Sequence, residues 1–117
     1  MNACLTWSEL VLARRDSEAP ALTGEHAVSY AELVELAAAA AGWLDELGFA
    51  EGSPVPALLD TSVVSLALVI AGSCTGRPIA PLGPRLTPRE IAGCIAGLGA
   101  GMLIAEPGYA DQAAAAA

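Results

Sequence analysis

The sequence contains no lysine, and arginine supplies all five basic residues against thirteen acidic ones, so the net charge is −8. A protein with this charge repels polyanions, which argues against nucleic acids and anionic membrane surfaces as partners. The absence of lysine also excludes a P-loop, because that phosphate-binding motif needs a lysine before its Ser or Thr.

Cysteine and histidine are scarce as well. The three cysteines, Cys4, Cys74 and Cys94, form no Cys-x-x-Cys pair, and His26 is the single histidine. An odd number of cysteines at such wide spacing argues against both a disulfide framework and a zinc site. The first residues do not show the basic and apolar regions of a signal peptide, so we expect a cytoplasmic protein. The longest apolar run, 63–74, is too short for a membrane span.

Aromatic residues are also few. Only five of the 117 residues are aromatic, whereas 26 are alanine and 55% are hydrophobic. Such a chain has enough apolar residues to build a core, which argues against intrinsic disorder. Its length predicts one domain, in which elements pack closely on alanine and glycine.

Three capping boxes of the form Ser/Thr-x-x-Glu predict three helix starts, at Thr6, Ser29 and Thr87. The helix after Ser29 has an apolar stripe with helical spacing, and Gly48 is suited to its left-handed C-terminal position. A further helix over 63–74 is apolar on nearly all sides and is predicted to be buried. It starts at Asp60, Thr61 or Ser62 and ends at Gly76. The helix Pro88–Leu98 is predicted to bury Ile91, Cys94, Ile95 and Leu98.

Short apolar runs between these helices predict strands. Ala21–Thr23 and Ala27–Ser29 flank a polar turn and predict a β-hairpin. Three continuous apolar runs are typical of buried parallel strands: Val55–Leu59, Pro78–Leu82 and Met102–Ala105. Their alternation with helices predicts an α/β fold, in which a mostly parallel sheet with flanking helices is joined by right-handed βαβ units and accompanied by the hairpin.

Two prolines affect the first of these strands. Pro54 and Pro56 remove N–H donors around Val55, so that strand is predicted to start late or to lie at an edge.

Alanine is the best helix former, and residues 110–117 predict the opening of another helix. A three-stranded parallel sheet also leaves an edge uncovered. We therefore expect the chain to be the front part of a larger protein.

Each residue that suggests chemistry has a structural explanation that we favour. Gly97–Gly101 lacks the spacing of a dinucleotide fingerprint and is better explained as a helix end and a tight turn. His26 lies in a polar turn, and two carboxylate pairs, Glu32 with Glu35 and Asp45 with Glu46, lie on the solvated face of their helix. Cys74 and Cys94 are predicted to be buried small hydrophobes. Arginines 77, 85 and 89 either form an anion site or pair with nearby acids. Glycines 72, 76, 93 and 97 are predicted to allow close helix packing. We predict no catalytic, cofactor-binding or metal-binding residue in this chain.

Two segments resemble a known family. Val28-Ser29-Tyr30-Ala31-Glu32-Leu33 is similar to the Leu-Thr/Ser-Tyr-x-Glu-Leu motif of AMP-forming acyl-CoA synthetases and adenylation domains. Residues 71–82, Ala-Gly-Ser-Cys-Thr-Gly-Arg-Pro-Ile-Ala-Pro-Leu, resemble the family's Ala-Gly-x-x-x-Gly-x-x-x-x-Pro-Leu segment. The family usually has Asp-Arg-Val-Ala where this chain has residues 53–56, and Asn or Asp in place of Gly83.

The resemblance implies that residues 1–117 form part of the N-terminal subdomain of an adenylate-forming ligase. Such an enzyme activates a carboxylic acid, for example a fatty acid, with ATP and Mg²⁺ and passes the acyl group to CoA or to a phosphopantetheine carrier. Both matching segments are structural in the family, and its catalytic motifs are expected beyond residue 117. The rest of the ligase chain would then be the main partner, with a homodimer as a possibility.

Two other hypotheses remain open. The chain can be a non-catalytic α/β remnant that acts by self-association or by binding another protein, because an uncovered sheet edge or apolar face needs a cover. It can also be a small-molecule-binding domain with its pocket at the carboxyl ends of the strands.

Overall fold

The structure is a computed structural model that describes residues 7–24, 27–83 and 85–116. It has the predicted α/β fold, with one antiparallel hairpin, β1-β2, and a parallel three-stranded sheet in the order β4-β3-β5. The elements are α1 Trp7–Leu12, β1 Pro20–Leu22, β2 Val28–Ser29, α2 Tyr30–Glu46, β3 Val55–Leu58, α3 Val63–Thr75, β4 Ile79–Pro81, α4 Pro88–Leu98, β5 Ile104–Ala105, a 3-10 turn Pro107–Tyr109 and α5 Ala110–Ala116.

Side-chain caps begin the helices where the sequence predicts them. The capping boxes at Ser29 and Thr87 are both formed, with the hydroxyl accepting from the N3 amide and the N3 glutamate accepting from the cap amide. The box predicted at Thr6 lies outside the described residues. Helix α3 begins at Ser62, which forms the same reciprocal pair with Ser65. This box at Ser62 is not one of the three predicted from the sequence, and serine occupies its N3 position in place of glutamate.

Two hydrophobic clusters hold the layers together. One cluster joins α2, β3 and α3 through Leu44, Ala57 and Leu68 and includes Phe49, which follows the left-handed Gly48. The other lies under α1 and β2 and includes Leu33 and Ile70. Alternation along a strand then directs Pro56 and Leu58 to the opposite face of the sheet, against which α4 packs.

Helices α3 and α4 are less buried than predicted. Val64 in α3 is 63% exposed, and Cys74 is exposed. Cys94 is only half-buried, and Ile91 is the one fully buried residue that α4 contributes. The prediction of buried cysteines is therefore wrong for Cys74, because the elements that contact α3, which are α1, α2 and β4, leave this side chain exposed.

The prediction that the prolines would delay β3 or place it at an edge is also wrong. Strand β3 begins at Val55 and lies between β4 and β5. The Val55 N–H donates to the Pro78 carbonyl, toward β4, so residue 56 faces β5. In the observed register, the carbonyl of Met102 would need an N–H from residue 56, which proline lacks. Pro56 thus shortens its neighbour: β5 starts at Ile104, two residues later than predicted.

Of the glycines predicted to allow close packing of a helix, only Gly72 among those inside helices lies close to a neighbouring element. A Cβ added at Gly72 would lie 2.4 Å from the Arg77 carbonyl and 2.9 Å from Ile79, so α3 touches the start of β4 there. A Cβ at Gly93 or Gly97 would meet no described atom within 4 Å, so the prediction of close packing is wrong for these two. Gly76 and Gly99 end α3 and α4 in the left-handed conformation.

These contacts predict opposite effects for two Gly→Ala substitutions. Gly72→Ala should destabilise the fold by about 1–3 kcal/mol, because the new methyl group overlaps backbone that cannot move freely. Gly93→Ala is the matched control in an open helical position and should stabilise by about 0.5–1 kcal/mol. Urea unfolding followed by circular dichroism measures both. Equal effects of the two substitutions would contradict the close approach at Gly72.

Candidate functional site

Polar side chains gather where β3 and β5 end. Asp60 follows β3, Glu106 follows β5, and parallel strands bring their carboxyl ends to the same edge of the sheet. In open α/β sheets this edge is the usual location of ligand sites. We therefore take this edge as the candidate functional site.

Glu106 organises the loop that leads into α3. Its carboxylate accepts hydrogen bonds from the Asp60 N–H at 2.8 Å and from the Ser62 hydroxyl at 3.0 Å. Ser62 is also the N-cap of α3, so one carboxylate fixes both the end of β3 and the start of the next helix. A strand end, a loop and a helix cap are thereby joined in one hydrogen-bonded group.

Tyr109 extends this group to the segment after β5. Its hydroxyl donates to the Asp60 carboxylate at 2.5 Å. This hydrogen bond raises the pKa of Tyr109 above its usual value of 10.0, and reduced hydration and the negative charges of Asp60 and Glu106 act in the same direction. The raised pKa means that the bond contributes to stability below about pH 10, and that this contribution is lost as the pH rises through the shifted pKa.

A groove of about 540 Å³ opens beside this group, between β1 and the start of α3. Its walls are mainly apolar, including Leu22, Leu66 and Val69, and its rim carries the hydroxyls of Thr23, Thr61, Ser62 and Ser65. Asp60 is its only charged lining residue among those described. Such a groove suits an uncharged molecule with apolar and hydroxyl groups.

The chemistry of this edge does not fit ATP, Mg²⁺ or CoA. Among the described residues, no basic side chain lines the groove, and the carboxylates of Asp60 and Glu106 would repel phosphates. Both carboxylates already accept hydrogen bonds from this chain, and the described residues hold no group of three or more potential metal ligands. We therefore assign no nucleotide, metal or thiol carrier to these residues.

The acidic residues singled out in α2 do not gather into a site. Glu32 serves the helix cap, and Glu35 and Glu46 are exposed. Asp45 forms an ion pair with Arg77 at 3.1 Å. His26 and Cys4 lie outside the described residues.

The arginines likewise form no anion site. The Arg77 Nε–H donates to the Phe49 carbonyl at 2.5 Å, and its other contact is Asp45. Arg85 and Arg89 are exposed. Arg77 therefore ties the end of α2 to the loop before β4, as the ion-pair alternative predicts.

Asp60, Glu106 and Tyr109 were not predicted as a group from the sequence. Asp60 and Glu106 are 46 residues apart, and only the pairing of β3 with β5 brings them together. The available signal was that a carboxylate follows each of two predicted parallel strands.

Within the described ranges, no helix has the length and apolarity needed to cross a membrane.

The pKa of Tyr109 tests this geometry. Tyr30→Phe leaves Tyr109 as the only tyrosine, so absorbance at 295 nm follows its ionisation alone. We expect a midpoint above pH 10 that falls when Asp60→Ala removes the acceptor. Asp111→Ala removes an acid outside the hydrogen-bonded group and is the control. An unchanged midpoint in Asp60→Ala would show that the hydrogen bond is not formed.

Comparison with known proteins supplies the family. A family model described as AMP-binding enzyme matches residues 11–117. No curated protein matches the chain significantly.

Solved structures match the fold over most of the chain. Apo MatB from Rhodopseudomonas palustris is 29% identical with a TM-score of 0.77, over 91% of this chain and 23% of that one. Holo-AB3403, a four-domain nonribosomal peptide synthetase bound to AMP and glycine, is 25% identical with a TM-score of 0.77, over 87% and 8%. VinN with L-aspartate, at 22% identity and a TM-score of 0.84 over 94% and 30%, supports the fold alone.

The chain is short relative to these proteins. It spans 30%, 21% and 27% of the first three structures that it matches. The family model, in contrast, covers nearly all of the chain itself. The chain therefore belongs to the AMP-binding enzyme family and is similar to the N-terminal portion of its AMP-forming ligases and adenylation domains.

Proposed function

We propose that this chain is the N-terminal structural segment of an AMP-forming carboxylate ligase, and that residues 1–117 form a partial subdomain without a catalytic centre of its own. The observation that carries this proposal is the family match over residues 11–117 in a chain that spans less than a third of the matching structures. The rest of the ligase is then its partner, in the cytoplasm.

The parent reaction has two steps. A carboxylate oxygen of the substrate attacks the α-phosphorus of ATP, which forms an acyl-adenylate and releases pyrophosphate. A thiol of CoA or of a phosphopantetheine carrier then attacks the acyl carbon and releases AMP. The substrate acid is a fatty acid or another carboxylic acid.

The chemistry of the described residues supports a scaffold role in this reaction. The sequence has no lysine, and none of the described residues that line the groove at the carboxyl edge is basic. The polar residues at that edge bind one another: Glu106 holds the Asp60 N–H and Ser62, and Asp60 accepts from Tyr109. ATP, Mg²⁺ and the thiol acceptor would accordingly bind to other parts of the ligase.

One observation favours a second candidate function. Leu36, Trp43 and Val64 are 42%, 44% and 63% exposed, and all three line one apolar groove between α2 and α3. An apolar surface of this kind promotes association. The chain would then act as a self-associating or protein-binding module, and light scattering that finds a strict monomer at high concentration contradicts self-association.

The proposed function predicts where nucleotide chemistry occurs. The longest protein encoded by the reading frame that contains these residues should exchange radiolabelled pyrophosphate into ATP when a suitable carboxylic acid is present. The 117-residue chain should show no exchange, and millimolar ATP should leave its melting temperature unchanged, because a ligand that binds the folded state raises that temperature.

Two results would contradict this proposal. The first is pyrophosphate exchange by the 117-residue chain alone. The second is a longer protein that exchanges no pyrophosphate with any member of a broad panel of carboxylic acids.

A further inference from the structure

The groove between β1 and the start of α3 keeps polar groups that the described residues do not use. The hydroxyls of Thr23 and Thr61 line it, and neither has a hydrogen-bond partner within the described ranges. Asp60 accepts from Tyr109 through Oδ1, and no described residue donates to its Oδ2. With a volume of about 540 Å³ and mainly apolar walls, the groove resembles small-molecule sites, which measure about 300–1,000 Å³.

Asp60 is restrained from two directions before any ligand arrives. Glu106 accepts from its N–H at 2.8 Å, and the Tyr109 hydroxyl donates to its carboxylate. These two bonds leave Oδ2 of Asp60 unused. A ligand would therefore meet an acceptor whose position is already set, which lowers the entropy cost of binding. The hydrogen bonds that Glu106 and Tyr109 make stay intact when such a ligand binds.

The first turn of α3 presents the opposite hydrogen-bonding character to the same groove. Ser62 and Ser65 accept from each other's N–H groups. The N–H of Val63, the first residue of the helix, is left without a partner within the described part of the chain. Val63 also lines the groove. A backbone donor at the positive end of the helix dipole thus lies on the same groove as the Asp60 carboxylate.

This combination favours an uncharged polar group over a charged one. Asp60 would repel a carboxylate or a phosphate, and the positive end of α3 would disfavour an ammonium group. A hydroxyl group carries no charge, and it donates to a carboxylate oxygen while it accepts from an N–H. Leu22, Leu66 and Val69 form the apolar walls, which suit an aliphatic chain.

We propose that this groove is a binding site for an uncharged aliphatic molecule that ends in a hydroxyl group. The hydroxyl donates to Oδ2 of Asp60 and accepts from the N–H of Val63, and the chain lies against Leu22, Leu66 and Val69. This inference goes beyond the scaffold role and does not depend on the ligase reaction. Because Asp60 repels carboxylates, the site is distinct from one that binds the acid of the proposed ligase.

Aliphatic alcohols are the probes that test this site. Titration of the isotope-labelled 117-residue chain with n-hexanol should shift the amide resonances of Thr23, Thr61 and Val63 until they saturate. We expect a dissociation constant of about 1 mM, because so small a ligand makes few contacts. n-Octanol should bind about tenfold more tightly, because two additional methylene groups leave water.

Two results of this titration would overturn the proposal. The first is a set of shifts that rise without saturation, which indicates a solvent effect. The second is a set of shifts at Ala39 and Ala40 without shifts at Thr23 and Thr61, because the alcohol would then occupy the groove between α2 and α3.

Charged ligands with the same chain test the role of Asp60. At pH 7, hexanoate and n-hexylammonium should each bind at least about tenfold more weakly than n-hexanol. Asp60→Asn removes the charge at nearly constant size, so hexanoate should gain at least about fivefold relative to the alcohol. Asp111→Asn changes an acid that does not line the groove and is the matched control.

Either of two outcomes would contradict this role. One is binding of a charged ligand to the unsubstituted chain at least as tight as that of n-hexanol. The other is a ratio of hexanoate to hexanol affinity that Asp60→Asn leaves unchanged.

The apolar wall provides an independent test. Leu66→Ala should weaken n-hexanol binding at least about threefold, because part of the contact with the chain is lost. Leu36→Ala changes a leucine of the groove between α2 and α3, so its n-hexanol affinity should stay unchanged. Circular dichroism checks that both variants are folded, since Leu66 also packs against the core. Equal affinities of the two folded variants would overturn the proposal, and if Leu66→Ala is unfolded, the Asp60→Asn comparison decides.

Discussion

Strand β3 forms backbone hydrogen bonds on both of its sides, and the rest of the fold is arranged around that ladder. On one side it is bonded to β4 through Val55 and Ala57, and on the other its Leu58 carbonyl accepts from Glu106 after β5. Val55, Ala57 and Leu58 are completely buried. Since parallel neighbours must be reached by crossovers, the position of this strand also dictates that α3 and α4 lie on opposite faces. Helix α2 then packs against α3 and completes one layer.

The same ladder produces the candidate site. Asp60 and Glu106 come together because β3 and β5 are paired in a register that aligns their carboxyl ends. Once aligned, Glu106 accepts hydrogen bonds from the backbone at the end of β3 and from the cap residue of α3, and the Tyr109 hydroxyl donates to the Asp60 carboxylate. These polar groups satisfy one another within the chain. That self-sufficiency suits a structural element better than a site that must exchange substrates.

The helices were predictable from the sequence because the signals that start and end them are local. The cap residues Ser29 and Thr87 and the terminal glycines 48, 76 and 99 act within a few residues of the helix that they bound. The start of β5 was not predictable in this way, because it depends on Pro56 in another strand. The exposure of Cys74 depends on what covers α3, which helical spacing does not encode. The Asp60–Glu106 contact depends on the pairing of strands distant in sequence. The family resemblance, in contrast, was visible in two short segments.

Pro56 also restricts how the sheet can be misassembled. If β5 slid by two residues along β3, the carbonyl of Ile104 would face residue 56 and would find no donor there. A slide by one residue would instead turn Ile104 away from the core, since successive side chains point to opposite faces. Pro56 thus penalises the two-residue slide in this direction, and the alternation of side chains penalises slides by one residue.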